Sequence, residues 1–192
     1  MKGSVKNMPI KAILFDWVGV LVSIKKSTRP SISLTLIETF ISQHRGKDLP
    51  LEDVAVRLKL NGAGLVGCLD SYVLERFEKY QPLWNELPEF AKKYKLAVVN
   101  NGPSFTVPSF QRIFQFEKYG VFINSGIEGV RKPDPEIFHH ALNRINIRAE
   151  EAIYLDDAPE TPEVLKTTGI RSFYWKSQDS GFAELLTILD DR

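Results

Sequence analysis

Four short apolar runs in this chain share one form, and that form limits the fold more than any other feature. AILF at 12–15 runs into Asp16, LAVV at 96–99 into Asn100, VFI at 121–123 into Asn124 and Ser125, and AIYL at 152–155 into Asp156 and Asp157. A strand with one wet face alternates apolar and polar side chains; continuous apolar character is what a strand covered on both faces requires. The runs therefore predict a mainly parallel sheet, to which SFYW at 172–175 adds a fifth strand. Helix-like segments at 82–94, 108–119, 134–145 and 161–169 lie between them. Strand and helix alternate, so the expected fold class is α/β, doubly wound in three layers, α/β/α. Such sheets bind ligands outside the carboxyl ends of their strands, where the polar residues just named fall.

Residues 25–81 break this rhythm. Helix-like patches at 33–44, 51–60 and 70–80 are joined by polar or glycine-rich links. An insert that leaves straight after the first strand would sit over the ligand edge as a helical cap, with 8–24 and 82–192 forming the core domain. Gly62, Gly64 and Gly67 in NGAGLVG match G-x-G-x-x-G letter for letter. A dinucleotide site also needs a second strand–helix unit and an acidic residue about 20 residues on; none follows, so the glycines read as a flexible turn between cap helices, without a nucleotide cofactor. Lys2, Lys6 and Lys11 ahead of the apolar run 12–24 imitate a signal peptide. Asp16 interrupts that run, it is too short to span a bilayer, and no small-residue cleavage pattern follows. The run reads as a buried strand and residues 1–7 as a loose leader.

With 192 residues, 43% hydrophobic and 26% charged, the chain has enough apolar material for one sizeable core. Lys+Arg 25 against Asp+Glu 24 gives a net charge of +1, so no global field attracts nucleic acid or an anionic membrane. Any anion must be met locally. The single cysteine, Cys68, forms no internal disulfide and no cysteine metal cluster, which fits a reducing compartment, the cytoplasm.

The four strand ends together resemble the four motifs of the haloacid dehalogenase-like hydrolase superfamily, through ILFDWVGVLV, LAVVNNG, GVRKPDPEIF and IYLDDAPETPEVLKTTGI. The resemblance covers nearly the whole chain, and the insert resembles the small helical cap of subclass I. It implies hydrolysis of a small phosphorylated substrate with Mg²⁺, through an aspartyl phosphate. Asn100 and Asn101 of the second motif, with Ser125, are the substrate-side candidates; a turn role for Ser125 is equally open.

Each position has its own physical argument. A bare carboxylate after an apolar strand must emerge where a cation, donors or water meet it, and Asp16 there can attack phosphorus and hold it as an acyl phosphate, dividing hydrolysis into two steps. Lys132 precedes PDPE, where Asp134 can cap and Pro135 can open a helix, so its charge adds to a helix N-terminus. By the resemblance, it stabilises the nucleophile and the transferred group. Asp156 and Asp157 repel one another unless a cation relieves them, and hard oxygens of this number suit Mg²⁺. The resemblance makes Asp157 the direct ligand, with Asp16 and the backbone carbonyl of Val18 supplying further oxygens.

Two departures weigh against full activity. Most phosphatases of the superfamily carry a second aspartate two residues after the nucleophile; here Val18 stands there, and general acid–base help of about 10²- to 10⁴-fold is lost. The usual Ser or Thr of the second motif is Asn100, whose amide still offers N–H donors but is longer. The alternative expectation is accordingly an impaired or inactive relative that binds a phosphorylated ligand or protein. A metal-independent dehalogenase ranks lower, because it leaves the acid pair without purpose. His139 and His140 lie about 100° apart on a helix and cannot share a metal; like His44, they read as surface or packing residues. Lys25, Lys26 and Arg29 at the cap entrance read as a solvated basic run or as contacts to an anionic substrate. Trp17 shapes the pocket or packs beneath the cap.

Overall fold

A computed structural model describes residues 8–26 and 32–190 of the chain; the expectations for residues 1–7 and Arg29 lie outside them. The predicted parallel sheet is present. It comprises β1 (Ala12–Phe15), β4 (Lys95–Asn100), β5 (Val121–Asn124), β6 (Ala152–Asp156) and β7 (Arg171–Tyr174), in the order β5-β4-β1-β6-β7 with every neighbouring pair parallel. β1 lies at the centre, so Asp16 leaves the middle of the carboxyl edge. Alternate strand residues feed two apolar layers. Ile13, Phe15, Leu96 and Val98 belong to one; Leu14, Ala97, Val99 and Tyr154 join Ile137, Phe138 and Leu142 in the other.

The apolar run 12–24 is not one strand. After Asp16 the chain turns, with the Leu21 and Val22 amides donating to Trp17 O (3.1 and 2.9 Å) and Gly19 N donating to Val22 O (2.7 Å). Gly19 sits at φ +103°, a conformation that L side chains rarely adopt. The chain then leaves as β2 (Val22–Ile24) and returns as β3 (Phe77–Lys79), and these pair antiparallel as a separate ribbon. Between them lie α1 (Ile32–Gln43), α2 (Leu51–Leu58) and α3 (Gly62–Arg76).

NGAGLVG is likewise not a turn but the start of α3. Asn61 caps it by accepting from Gly64 N (2.7 Å), and Leu65, Leu69, Tyr72 and Val73 form one buried face. That face shares a continuous core with Trp17 and Val20. Packing of an apolar stripe outweighs the low helix propensity of three glycines.

On the core side, α4 (Gln81–Lys93) and α7 (Pro135–Ile145) match expectation. The segment expected over 108–119 divides: α5 (Val107–Phe114) stops where Gln115 turns left-handed, and a 3₁₀ turn follows. The short helix α6 (Ser125–Glu128) follows β5 directly. The helix expected over 161–169 is only α8 (Thr161–Leu165), ending where the Thr168 hydroxyl donates to Leu165 O and Gly169 turns at φ +83°. The helix α9 (Gln178–Asp190), which the sequence reading did not place, packs Leu185 into the core. Among the described residues no helix is long and apolar enough to cross a membrane.

Candidate active site

Asp16 is the first residue beyond β1, anchored by its amide to Leu155 O (2.8 Å). Its side chain is 13% exposed, as is that of Lys132, whose Nζ lies 2.5 Å from Asp16 Oδ1. Lys132 comes from the loop between α6 and α7. Asp134 caps α7 by accepting from Glu136 N (3.0 Å), with Pro135 in the first turn, which is the local structure expected for PDPE.

The same Nζ donates to the Tyr154 hydroxyl (2.7 Å) and to Asp156 Oδ2 (3.2 Å). Tyr154 in turn donates to Asp156 Oδ2 (2.6 Å), and Asp156 Oδ1 accepts from Ala158 N (2.8 Å). Asp157 is exposed, and its carboxylate lies over Gly19, where a Cβ would fall 2.1 Å from Oδ2. One oxygen from each of Asp16, Asp156 and Asp157 lies within 4.8 Å of the others. Three hard, anionic oxygen donors on adjoining strand ends are a donor set that fits Mg²⁺, which is held by few carboxylates and completed by water and phosphate oxygens.

The electrostatics follow from burial. Desolvation pushes the Asp16 carboxyl up to about 6, against the opposing pull of Lys132 and with the help of the Asp156 charge. Burial pulls the Lys132 ammonium down, but Asp16 and Asp156 outweigh it and the net shift is upward. Desolvation, then Asp156, also raises Asp157. Two acids held at a cost around one ammonium form a site built to receive more positive charge.

These groups face a cavity of about 600 Å³ between the strand ends and the insert, within the size range of small-molecule sites. Core residues Asn100, Lys132 and Asp157 line it together with Ile24, Ile41, Tyr72 and Phe77 from the insert and its ribbon. Asn100 ends β4, buried, and directs Nδ2 toward Gly102.

The other candidates stand elsewhere or serve differently. Asn101 lines the cavity, but its amide is engaged at both ends: Oδ1 accepts from Lys132 N (2.9 Å) and Nδ2 donates to Lys132 O (3.0 Å). It holds the lysine loop. Ser125 is buried and its hydroxyl accepts from Gly102 N (3.1 Å), which braces the second-motif loop. Lys25 is tied to Leu74 O (2.6 Å) at the end of α3. Trp17 lines the cavity and packs into the core domain, meeting Trp84, Phe110, Phe114, Phe116 and Phe122 edge-on, with ring centroids 5.1–6.5 Å away. His44 stacks on Phe40, His139 is exposed, and His140 pairs with Glu128. Tyr154 is a residue of the site that sequence reasoning missed. It looked like one more apolar strand residue, yet it stands two before Asp156, hence on the same strand face.

Fold and site define an α/β protein that presents an acid from its central strand beside a lysine and an acid pair from the neighbouring strand. Residues 10–161 match the family model of haloacid dehalogenase-like hydrolases, and the chain belongs to that family. It is 25% identical over 175 residues to the sesquiterpene phosphatase AstK of Aspergillus oryzae, covering 83% of this chain and 87% of that one. It is 30% identical over 105 residues to a phosphorylated carbohydrates phosphatase of Thermotoga maritima (53% and 49%). It is 31% identical over 101 residues to mouse acyl-CoA dehydrogenase family member 10 (52% and 9%). The chain thus spans about half or less of two of these relatives. A HAD family enzyme from Bacteroides thetaiotaomicron superposes with a TM-score of 0.67 at 18% identity, over 87% of this chain and 94% of that one, and has been crystallised with magnesium and inorganic phosphate.

Proposed function

We propose that the protein is a Mg²⁺-dependent phosphatase of small phosphorylated metabolites that works through an aspartyl phosphate on Asp16. The observation that carries this reading is the hydrogen bond from Lys132 Nζ to Asp16 at 2.5 Å, with Asp156 and Asp157 close enough to share a cation. Asp16 attacks phosphorus while the ester P–O bond breaks. Water then cleaves the acyl phosphate, restoring the carboxylate and releasing phosphate. Lys132 holds the Asp16 oxygen in place and offsets charge on the transferred group. Asp16, Asp156, Asp157 and the Val18 carbonyl would hold Mg²⁺, which when bound neutralises phosphoryl oxygens. With valine at 18 the leaving oxygen takes its proton from water, so good leaving groups turn over best. Asn100 offers N–H donors to the phosphoryl group. The insert 25–81 acts as the cap that selects substrate and excludes water, and the lone Cys68 fits a cytoplasmic setting. The Aspergillus and Thermotoga relatives, named as phosphatases, support the reaction class.

The test is Mg²⁺-dependent phosphate release from p-nitrophenyl phosphate, acetyl phosphate and a sugar phosphate panel. Turnover that disappears in Asp16→Ala is the expected result; release no greater than in that variant rejects the reading. Val18 and Asn100 favour a second reading, a relative that binds a phosphorylated ligand without turning it over. Calorimetry showing Mg²⁺-dependent binding of phosphate analogues, without hydrolysis, would favour it, and Val18→Asp would then restore turnover.

A further inference from the structure

We propose that Arg45 and Arg131 form a second anion subsite in the cavity, so that the substrate is a phosphomonoester bearing another anionic group, a carboxylate or a second phosphate. The proposal rests on the phosphatase reading for the first phosphate. Arg131 directly precedes Lys132, and Arg45 follows α1 on the link to α2; both line the cavity and both are exposed. They arise from adjacent pieces of chain. A Cβ built on Gly46 would lie 3.6 Å from Arg131 Cδ, so the Arg131 stem runs over the backbone next to Arg45.

Four other arginines of the described residues each have an ion-pair partner. Arg76 shares the cavity and pairs with Glu38 (3.0 Å), while Arg112, Arg144 and Arg148 pair with Asp70, Glu128 and Glu151. Among the described residues no ion pair engages Arg45 or Arg131. Both side chains line one cavity without such a partner, and a bound anion supplies one.

The Arg45 link is also fixed to the core. Ser104 N donates to Lys47 O (3.1 Å), Leu49 N donates to Ser104 Oγ (2.8 Å), and Ser104 Oγ donates to Leu49 O (3.3 Å). Gly46 allows the chain to turn at φ +74° before this anchor. Ser104 belongs to the loop that follows Asn100, so the backbone bearing Arg45 keeps its place relative to the strand ends. Paired guanidinium forks on anchored backbone match carboxylate or phosphate oxygens in a way that flexible lysines do not.

Calorimetry with non-hydrolysable ligands at saturating Mg²⁺ tests the subsite apart from turnover. Phosphonoacetate, phosphonopropionate and ethylenediphosphonate should each be compared with ethylphosphonate, which has one anionic group. The wild type should bind at least one dianionic ligand about tenfold more tightly than ethylphosphonate, and the carboxylate and bisphosphonate arms show which second anion fits. In Arg45→Gln/Arg131→Gln this ratio should fall toward one, with the lysine variants between. A ratio near one in the wild type, a ratio indifferent to both substitutions, or no phosphonate binding at all overturns the subsite. Selective binding without phosphate release overturns the phosphatase reading and leaves the subsite standing; release without selectivity does the reverse.

Discussion

Lys132 Nζ spends its three donors on Asp16, Tyr154 and Asp156, and the Tyr154 hydroxyl, which donates to Asp156 Oδ2 (2.6 Å), adds a second link from the lysine to the acid pair beside the direct one. Tyr154→Phe keeps the ring against Phe138 (4.8 Å) and removes only that link. Phosphate release should slow about tenfold, the worth of a hydrogen bond to a charged group, as steady-state kinetics will show. Asp16, Lys132 and the acid pair were legible because a charge after an apolar run, or beside a helix start, demands a partner. Tyr154, Asn101 and Ser125 were not, because each acts through a three-dimensional neighbour: Tyr154 and Asn101 through Lys132, Ser125 through Gly102. The register that pairs Asn100 with Asn124 across β4 and β5 is invisible in one dimension.

At the scale of elements, the sequence runs located all five sheet strands; for the central β4, β1 and β6 burial on both faces leaves no other composition, whereas the edge strand β7 has no fully buried residue. Where the reading failed, local and tertiary signals disagreed. The run 12–24 carries no polar alternation to mark its break, which lies in the reversal around Gly19. In α3 the glycines indicate a turn while Asn61 and the apolar stripe indicate a helix, and the stripe wins. Gly67 is exposed within that helix, and a Cβ there meets nothing within 4 Å. Gly67→Ala should therefore stabilise the protein by about 1 kcal/mol, read as a higher urea midpoint with an unchanged slope. No greater stability would mean that α3 is not formed there.

For the whole molecule, the central strands are tied together near their amino ends by Glu151. Its carboxylate accepts from Arg148 (2.9 Å) and pairs with Lys11 Nζ (2.7 Å), and its carbonyl accepts from Lys11 N (2.8 Å). Hydrogen bonds from Arg148, then Lys11, hold this carboxyl down at about 2 against an ordinary 4.5. A lowered folded-state value gives stability that is complete above about 4.5 and is lost as pH falls toward 2. Glu151→Gln should consequently lower Tm at pH 7, and the gap to wild type should close between pH 4.5 and 2; a constant gap would mean that the charge contributes nothing.

The central claim is that the Asp16 carboxylate, beside Lys132 and the acid pair, accepts a phosphoryl group. Borohydride trapping after incubation with Mg²⁺ and acetyl phosphate, followed by peptide mass mapping, tests it directly. The account predicts homoserine at position 16 that depends on both Mg²⁺ and the phosphate donor. An unmodified Asp16 under conditions that release phosphate, or a trapped adduct on another residue, would contradict it.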